Sequence, residues 1–488
     1  MASAHRVALA FMLAMCMGAI GAINPGFVVR ITQKGLDYAR QEGMSVLQKE
    51  LSKIHIPDFS GSTHTHIGKV KYSFSSMNIR SFQLPNSQIN LVPNVGLKLS
   101  ISGAFIEVDG QWRVRYKLML YATDNMLPSS SISDHGHFDL KVEGISISVG
   151  MKLGSDGQGR PTISPSDCSS YISNVDVHIS GKFSWLVDIF HHQIDSAFRK
   201  AIEDQICPLV SQSISSKLGP LLQTLPVTAK IDHVAAIDYS LIGPPSVTAE
   251  VLDAQLKGEF FYLSHRSTPP FPALPMSFPV DHDLMVYFAA GSYLFNTAGF
   301  VYHSAGALVF NVTDDMIPKN FSVRLNTSSF GTLIPQISKM YPNMLMKLKI
   351  ESASAPFLNI KPGNLTISPV MDIQAYAILP NSSLAPLFLL NVTTNALVKI
   401  AVNSGRIVGN LELSRVEMVL KHSDVGPFSV TVLNLAVNYY ISNVLLPQVN
   451  EILKKGYPLP LLDHVQLTDV VLQPYENFIL FGANVHNG

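Results

Sequence analysis

One layout of elements occurs twice along these 488 residues, and that duplication limits the fold more than any single motif. In each copy an amphipathic helix precedes alternating, strand-like sequence, and a long proline-interrupted helix follows. The spacing predicts early helices over Ile31 to Ile54 and roughly Met285 to His303, and late helices over Trp185 to Leu218 and Phe428 to Lys455. Pro208, in Ile206-Cys207-Pro208-Leu209-Val210, and Pro447, in Leu445-Leu446-Pro447-Gln448-Val449, fall at equivalent places. Proline removes a helical hydrogen bond and crowds the preceding turn, so both late helices are expected to bend. A chain of this length exceeds one core and suits two domains of about 200 residues, so two cores are expected.

Where the apolar residues go is the next constraint. Hydrophobic residues make up 47% of the chain and charged residues only 14%. Yet past the N-terminus no window approaches the about 18 to 20 uninterrupted apolar residues of a membrane span. The surplus must face a core, a cavity or a ligand. Leu36, Ala39, Gly43, Leu47, Leu51 and Ile54 recur at helical spacing, as do Leu186, Phe190, Ala197, Phe198, Ala201, Ile202, Val210, Ile214 and Leu218. A single stripe of this kind is ordinarily plain core. Two long helices along a strongly curved antiparallel sheet, however, enclose an elongated apolar interior that can hold an acyl chain. Leu36, Leu47, Leu51, Phe190, Phe198 and Ile202 are the candidate lining.

Several features indicate export. His5 and Arg6, the apolar run Val7 to Met17 and the small residues through Ala22 read as a cleaved secretory signal over residues 1–22. Cys16 leaves with it, so Cys168 and Cys207 remain; pairing with each other is simplest in an oxidising compartment, two free thiols being the alternative. Cys168 sits in loop-like sequence, Ser164 to Ser170. Asn311, Asn320, Asn326, Asn364, Asn381 and Asn391 all begin Asn-x-Ser/Thr triplets, candidate glycosylation sites, and all lie in the second half.

The net charge of zero hides a division. From Ile23 to Lys230 there are 20 Lys and Arg against 17 Asp and Glu; from Ile231 to Gly488 there are 14 against 18. Between Gly61 and Ala122, Lys69, Lys71, Arg80, Lys98, Arg113, Arg115 and Lys117 face only Glu107 and Asp109, with His64 and His66 nearby. This is a candidate landing site for an anionic partner, against the plainer reading of a solvated face. Asp109-Gly110 predicts a two-residue hairpin turn within Ile106 to Arg115, because both turn positions need positive φ. Alternation then puts Arg113 and Arg115 on one face and Trp112 and Val114 on the other. A further turn is expected at Asp156-Gly157 and a bulge at Gly144.

Five prolines between Ser264 and Pro279 predict a stiff, extended linker that spaces the two domains. The expected partition is residues 23–263, a linker over 264–280 and residues 281–488. No Gly-x-Ser-x-Gly elbow, phosphate-binding Gly-rich loop, His-Glu-x-x-His or Cys-x-x-Cys occurs, so the sequence points away from an enzyme. His64-Thr65-His66, His135-Gly136-His137 and His191-His192 lack a second cluster at metal-ligand spacing, and no metal is expected. Asp314-Asp315 reads as a solvated turn.

Asn24-Pro25-Gly26 through Arg30, Lys34-Gly35-Leu36-Asp37-Tyr38-Ala39, Leu84 to Gln88, Val92 to Lys98, Asp314 to Pro318 and Leu379-Pro380-Asn381 carry a resemblance. Running nearly end to end, they resemble the bactericidal/permeability-increasing and lipopolysaccharide-binding protein family. The resemblance implies an α+β fold: an elongated curved rod of two similar barrel-like domains, each a twisted antiparallel sheet with two long helices, joined by a central sheet. It implies a disulfide at Cys168 and Cys207, a phospholipid in an apolar pocket of each domain and no other cofactor. It also implies a secreted or granule-stored monomer of innate immunity that binds lipid A of lipopolysaccharide on Gram-negative outer membranes, with no nucleic-acid partner. The binding residues implied are His64, His66, Lys69, Lys71, Arg113, Arg115 and Lys117. Lipopolysaccharide delivery, or phospholipid transfer, is the alternative role. The chain departs from the family where Tyr116 replaces an expected cation, where His64 and His66 replace lysines, and where Met119 to Ser130 reads as an insertion. Those histidines add charge only when protonated, so affinity is expected to rise as pH falls through about 6.5.

Overall fold

The computed structural model describes residues 24–487 apart from 66–67, 119–130, 181–184, 280–282 and 463–464. The signal segment expected at residues 1–22, His66 and the insertion read at 119–130 therefore lie outside the described residues, as does the side chain of Phe190. The fold is α+β. Strand β1 (Phe27–Thr32) leads into the early helix Gln33–Leu51, which Thr32 caps by accepting a hydrogen bond from the Gly35 amide. The helix buries Leu36, Leu47 and Leu51. It lies along an antiparallel sheet of β2 (Phe59–Thr65), β3 (Gly68–Gln83), β4 (Asn86–Val92), β5 (Gly96–Leu118), β6 (Ser131–Ser155) and β7 (Pro161–Ile179). The late helix Trp185–Ser213 returns across β7.

The second half repeats the plan. Strand Val286–Gly291 leads into helix Ser292–Ser304, a second antiparallel sheet follows, and the late helix closes it through Asn434–Tyr440, a π turn at Ile441–Leu445 and Leu446–Lys455. The helix expected from Met285 thus starts seven residues late. Val286–Gly291 is buried on both faces, so it lacks the alternation that marks a strand. Pro447 follows the π turn directly, where the widened turn accommodates its ring; Pro208 sits inside a regular helical span, with the π turn later at Ile214–Leu218. Val430–Lys455 is long and apolar enough, by length and composition alone, to cross a membrane. It packs instead on the second sheet, burying Leu433, Val437, Tyr440, Ile441 and Leu445.

The two copies meet through their first strands. β1 pairs antiparallel with Val286–Gly291, Phe27 opposite Ala290, and Phe478–Asn487 extends the same sheet. This shared sheet has its own buried cluster, including Phe27, Ile237, Phe260, Phe288, Leu294 and Phe481. A third core therefore joins the two that length alone suggests. The proline-rich segment is no spacer, because a shared sheet already fixes the halves together. Phe271 packs on Tyr293, Phe300 and Phe357, and Arg266 pairs with Asp238 and Glu259.

Cys168 and Cys207 are bonded, with Cα atoms 5.7 Å apart. Closing 39 residues of chain stabilises the fold by about 4 kcal/mol in the loop-entropy account. Cys168 lies in β7 rather than a loop; the loop-like signal is a register irregularity where Ser166 and Asp167 bulge over Gly150, which has no room for a Cβ. The bulge at Gly144 and the turn at Asp156 form as expected. Amides of Arg160 and Gln158 donate to the Asp156 carboxylate and hold it below the usual carboxylate range.

No hairpin forms at Asp109-Gly110. β5 runs straight through, with Gly110 paired to Phe138 of β6. A Cβ on Gly110 would lie 2.5 Å from the Phe138 ring, so this glycine serves aromatic packing rather than a turn. Gly110→Ala is expected to lower stability by about 1 to 3 kcal/mol, read as a lower denaturant midpoint at unchanged slope.

Candidate functional site

The long strands of the first domain are anchored from beneath. Trp112 and Val114 point inward with Val70 and Phe74, and Phe74 packs against Phe59, Phe138 and Phe198 at centroid distances of 5.1, 5.1 and 5.5 Å. Trp112 Nε1 donates to the His137 carbonyl at 3.2 Å, and Gly136 leaves room for its indole. With those side chains fixed, alternation turns the intervening residues outward.

Register then assembles the outer face. Lys69 of β3 stands opposite Lys117 of β5, Lys71 opposite Arg115 and Ser73 opposite Arg113. On one side His64 faces Lys69 and Ser62 faces Lys71; on the other, Ser131, Ser133 and His135 face Lys117, Arg115 and Arg113. The five cations thus occupy one grid, about 5 Å across strands and about 7 Å along them. Among the described residues none of the five forms an ion pair. Arg80, farther along the face, is instead neutralised by Asp109 at 2.9 Å and Asp139 at 3.0 Å. Like charges directly opposite each other destabilise a sheet. Such a cluster is a candidate site for an external anion.

His64, Lys69, Lys71, Arg113, Arg115 and Lys117 are therefore brought together, and His66 lies outside the described residues. His135 joins them beside Arg113, a neighbour that sequence spacing did not reveal. Leu36, Leu47, Leu51, Phe198 and Ile202 are also brought together, all buried in the first domain's hydrophobic cluster. Among the described residues no group of three or more His, Cys, Asp or Glu is placed to hold a metal ion.

A cavity of about 300 Å³ lies in the second half, lined by other residues. The early helix contributes Phe295, Ala298, Gly299 and Tyr302, the sheet Phe310, Ile350, Ala396 and Leu413, and the late helix Ile441, Leu445, Val449 and Leu453. Gly299 presses on the Pro356 carbonyl, where a Cβ would stand 2.2 Å away. Two lining tyrosines stay neutral. Burial pushes Tyr457 up to about 12, and burial together with a hydrogen bond to Asp232 raises Tyr302 farther. Walls this apolar suit hydrocarbon.

Of the six sequon asparagines, Asn311, Asn320, Asn364 and Asn381 are exposed and Asn326 and Asn391 half-buried. Asn326 Oδ1 caps a short helix by accepting from Ser329, and Asn391 Nδ2 donates to Asp372 at 2.8 Å.

Two sheet-and-helix copies sharing a central sheet define a duplicated two-domain class. Family models described as the LBP / BPI / CETP family, N-terminal domain, and the same family, C-terminal domain, match residues 35–221 and 229–487. The chain is 46% identical to lipopolysaccharide-binding protein of Homo sapiens over 480 residues, covering 98% of this chain and 97% of the relative. It is 41% identical to bactericidal permeability-increasing protein of Rattus norvegicus over 469 residues, covering 95% and 94%. A crystal structure of lipopolysaccharide binding protein superposes with a TM-score of 0.64 at 43% identity, covering 95% of this chain and 100% of that one. The chain belongs to the LBP / BPI / CETP family.

Proposed function

We propose that this chain is a secreted, non-enzymatic lipid-binding protein of innate immunity, held in granules or released directly, that captures lipopolysaccharide from Gram-negative bacteria. The observation that carries this reading is the grid of five cations on one exposed sheet face, none of them ion-paired among the described residues. Lipid A presents phosphates on an acylated sugar, and guanidinium and ammonium groups bind phosphate through charge-assisted hydrogen bonds. Serine hydroxyls at the flanks, Ser62, Ser73, Ser131 and Ser133, add neutral donors. Each domain is expected to hold phospholipid and the chain to act as a monomer. The names of both relatives accord with this reading, one lipopolysaccharide-binding, the other bactericidal and permeability-increasing. Titration with lipopolysaccharide and with neutral phosphatidylcholine vesicles at two salt concentrations tests it; equal binding to both, insensitive to salt, would overturn it.

The cavity in the second half favours a second reading, delivery or transfer of a lipid held there. Organic extraction of protein never exposed to detergent is expected to release at least about one phospholipid per chain. Recovery well below that would count against the transfer reading.

A further inference from the structure

The outer face of the second sheet corresponds to the cationic face of the first, and it has a different chemistry. Its rows can be read across strands Val309–Thr313, Met346–Ser352, Val370–Ile378, Leu384–Asn403 and Arg406–Ser423. One row runs Val309, Glu351, Asp372, Asn391, Val419; the next begins Asn311, Lys349, Gln374. At the tip, Leu345 and Leu384 flank Ile378. Five aliphatic side chains stand out from this domain's sheet: Val419 is 63% exposed, Leu345 54%, Leu397 44%, Leu384 42% and Val309 36%. Scattered exposed aliphatics are ordinary, but these share one sheet, and a sequon adjoins each or its row. Asn391 is the direct cross-strand partner of Val419. Asn311 is two residues from Val309 on the same strand face. Thr366, third residue of the Asn364 sequon, pairs with Leu397. Asn381 occupies the turn that leads into Leu384. The first half contains no Asn-x-Ser/Thr triplet.

We propose that N-linked glycans on Asn311, Asn364, Asn381 and Asn391 cover these aliphatic residues, so that the second sheet presents sugar and only the first sheet presents bare protein to an anionic surface. The proposal rests on the secretion proposed above. The modification is a group transfer from a lipid-pyrophosphate-linked oligosaccharide. The amide nitrogen forms the bond to the sugar, the sugar–phosphate bond breaks, the lipid pyrophosphate leaves and the amide gives up one proton. The amide's second proton remains, so a glycosylated Asn391 keeps one N–H donor beside Asp372, 2.8 Å from Nδ2 in the bare protein. Directly opposed side chains lie about 5 Å apart and diagonal ones about 7 to 8 Å, within reach of the first sugars of a glycan.

The test uses the full chain secreted from glycosylating cells. Glycopeptide mapping is expected to find the four sites occupied. Peptide N-glycosidase applied to the folded protein is expected to raise hydrophobic-dye fluorescence severalfold and shift sedimentation to larger species, even though the enzyme leaves a charged aspartate at each site. Val419→Ser, Leu397→Ser and Leu384→Ser combined should reduce that response by half or more while leaving the glycans in place. Stripped protein with unchanged dye binding and sedimentation would overturn the proposal, as would mapping that finds most of the four sites empty. Binding of the same samples to lipopolysaccharide vesicles reads the first sheet separately and is expected to survive stripping. A loss of binding already present before stripping counts against the proposed function and leaves the dye result to decide the shield.

Discussion

Replacing Arg113, Arg115 and Lys117 together by alanine is expected to weaken binding to lipopolysaccharide vesicles by about ten- to a hundredfold at low salt. Each of these residues stands on the outer face of β5 without an ion-pair partner among the described residues. The charge of each is thus fully available to a phosphate, at about 0.5 to 1 kcal/mol for an exposed contact, and every 1.4 kcal/mol is tenfold in affinity. Added salt should shrink the difference between parent and variant, because exposed charges are screened over roughly 8 Å at physiological ionic strength. The folded state gives an independent check. Arg115 faces Lys71 and Lys117 faces Lys69, so the alanines also remove two repulsive cross-strand pairs. Thermal stability should therefore be equal or slightly higher. A variant that loses binding because it is misfolded would show the opposite. Undiminished binding at low salt would move the site elsewhere and put the transfer reading first.

Parts of this arrangement are legible in the sequence for a plain reason: they depend on spacing within one segment. The inward Trp112 and Val114 against the outward Arg113 and Arg115 follow from strand alternation, and the stripe of Phe198, Ile202 and Val210 from helical periodicity. Other parts depend on residues far apart in the chain. Asp109-Gly110 has the local signature of a hairpin, and what decides against it is a phenylalanine 28 positions later. The position of His135 beside Arg113 depends on the register between β5 and β6 across a connection whose length the sequence leaves open. Val286–Gly291 reads as helix because burial on both faces erases the period-two pattern. The cavity is less legible still. Phe295, Ile350, Ala396 and Leu445 are ordinary apolar residues in four separate elements, and only their packing leaves a gap.

Phe198→Ala tests whether the first domain's helix stripe is core or cavity wall. Its ring is fully buried, with centroids 4.8 Å from Phe59, 5.5 Å from Phe74 and 5.7 Å from Phe138. These aromatics belong to the undersides of β2, β3 and β6, so the ring ties the late helix to β3, which carries Lys69 and Lys71, and to the strands that flank the cation grid. Truncating a buried phenylalanine commonly costs about 3 to 5 kcal/mol, the larger figures arising where the surroundings cannot collapse into the space. Collapse is restricted here, because Cys207 fastens the same helix to Cys168 of β7. A loss of about 4 kcal/mol is therefore expected, seen in calorimetry or denaturant melting as earlier unfolding of the first domain. Phospholipid recovered from the second-half cavity should not change, since its lining comes from Phe295 and residues after it. The opposite pattern, intact stability with lipid lost, would identify Phe198 as the wall of a first-domain lipid pocket. The two outcomes exclude each other because a ring that touches a mobile acyl chain leaves a space the chain can refill, whereas one locked among three aromatics leaves a void.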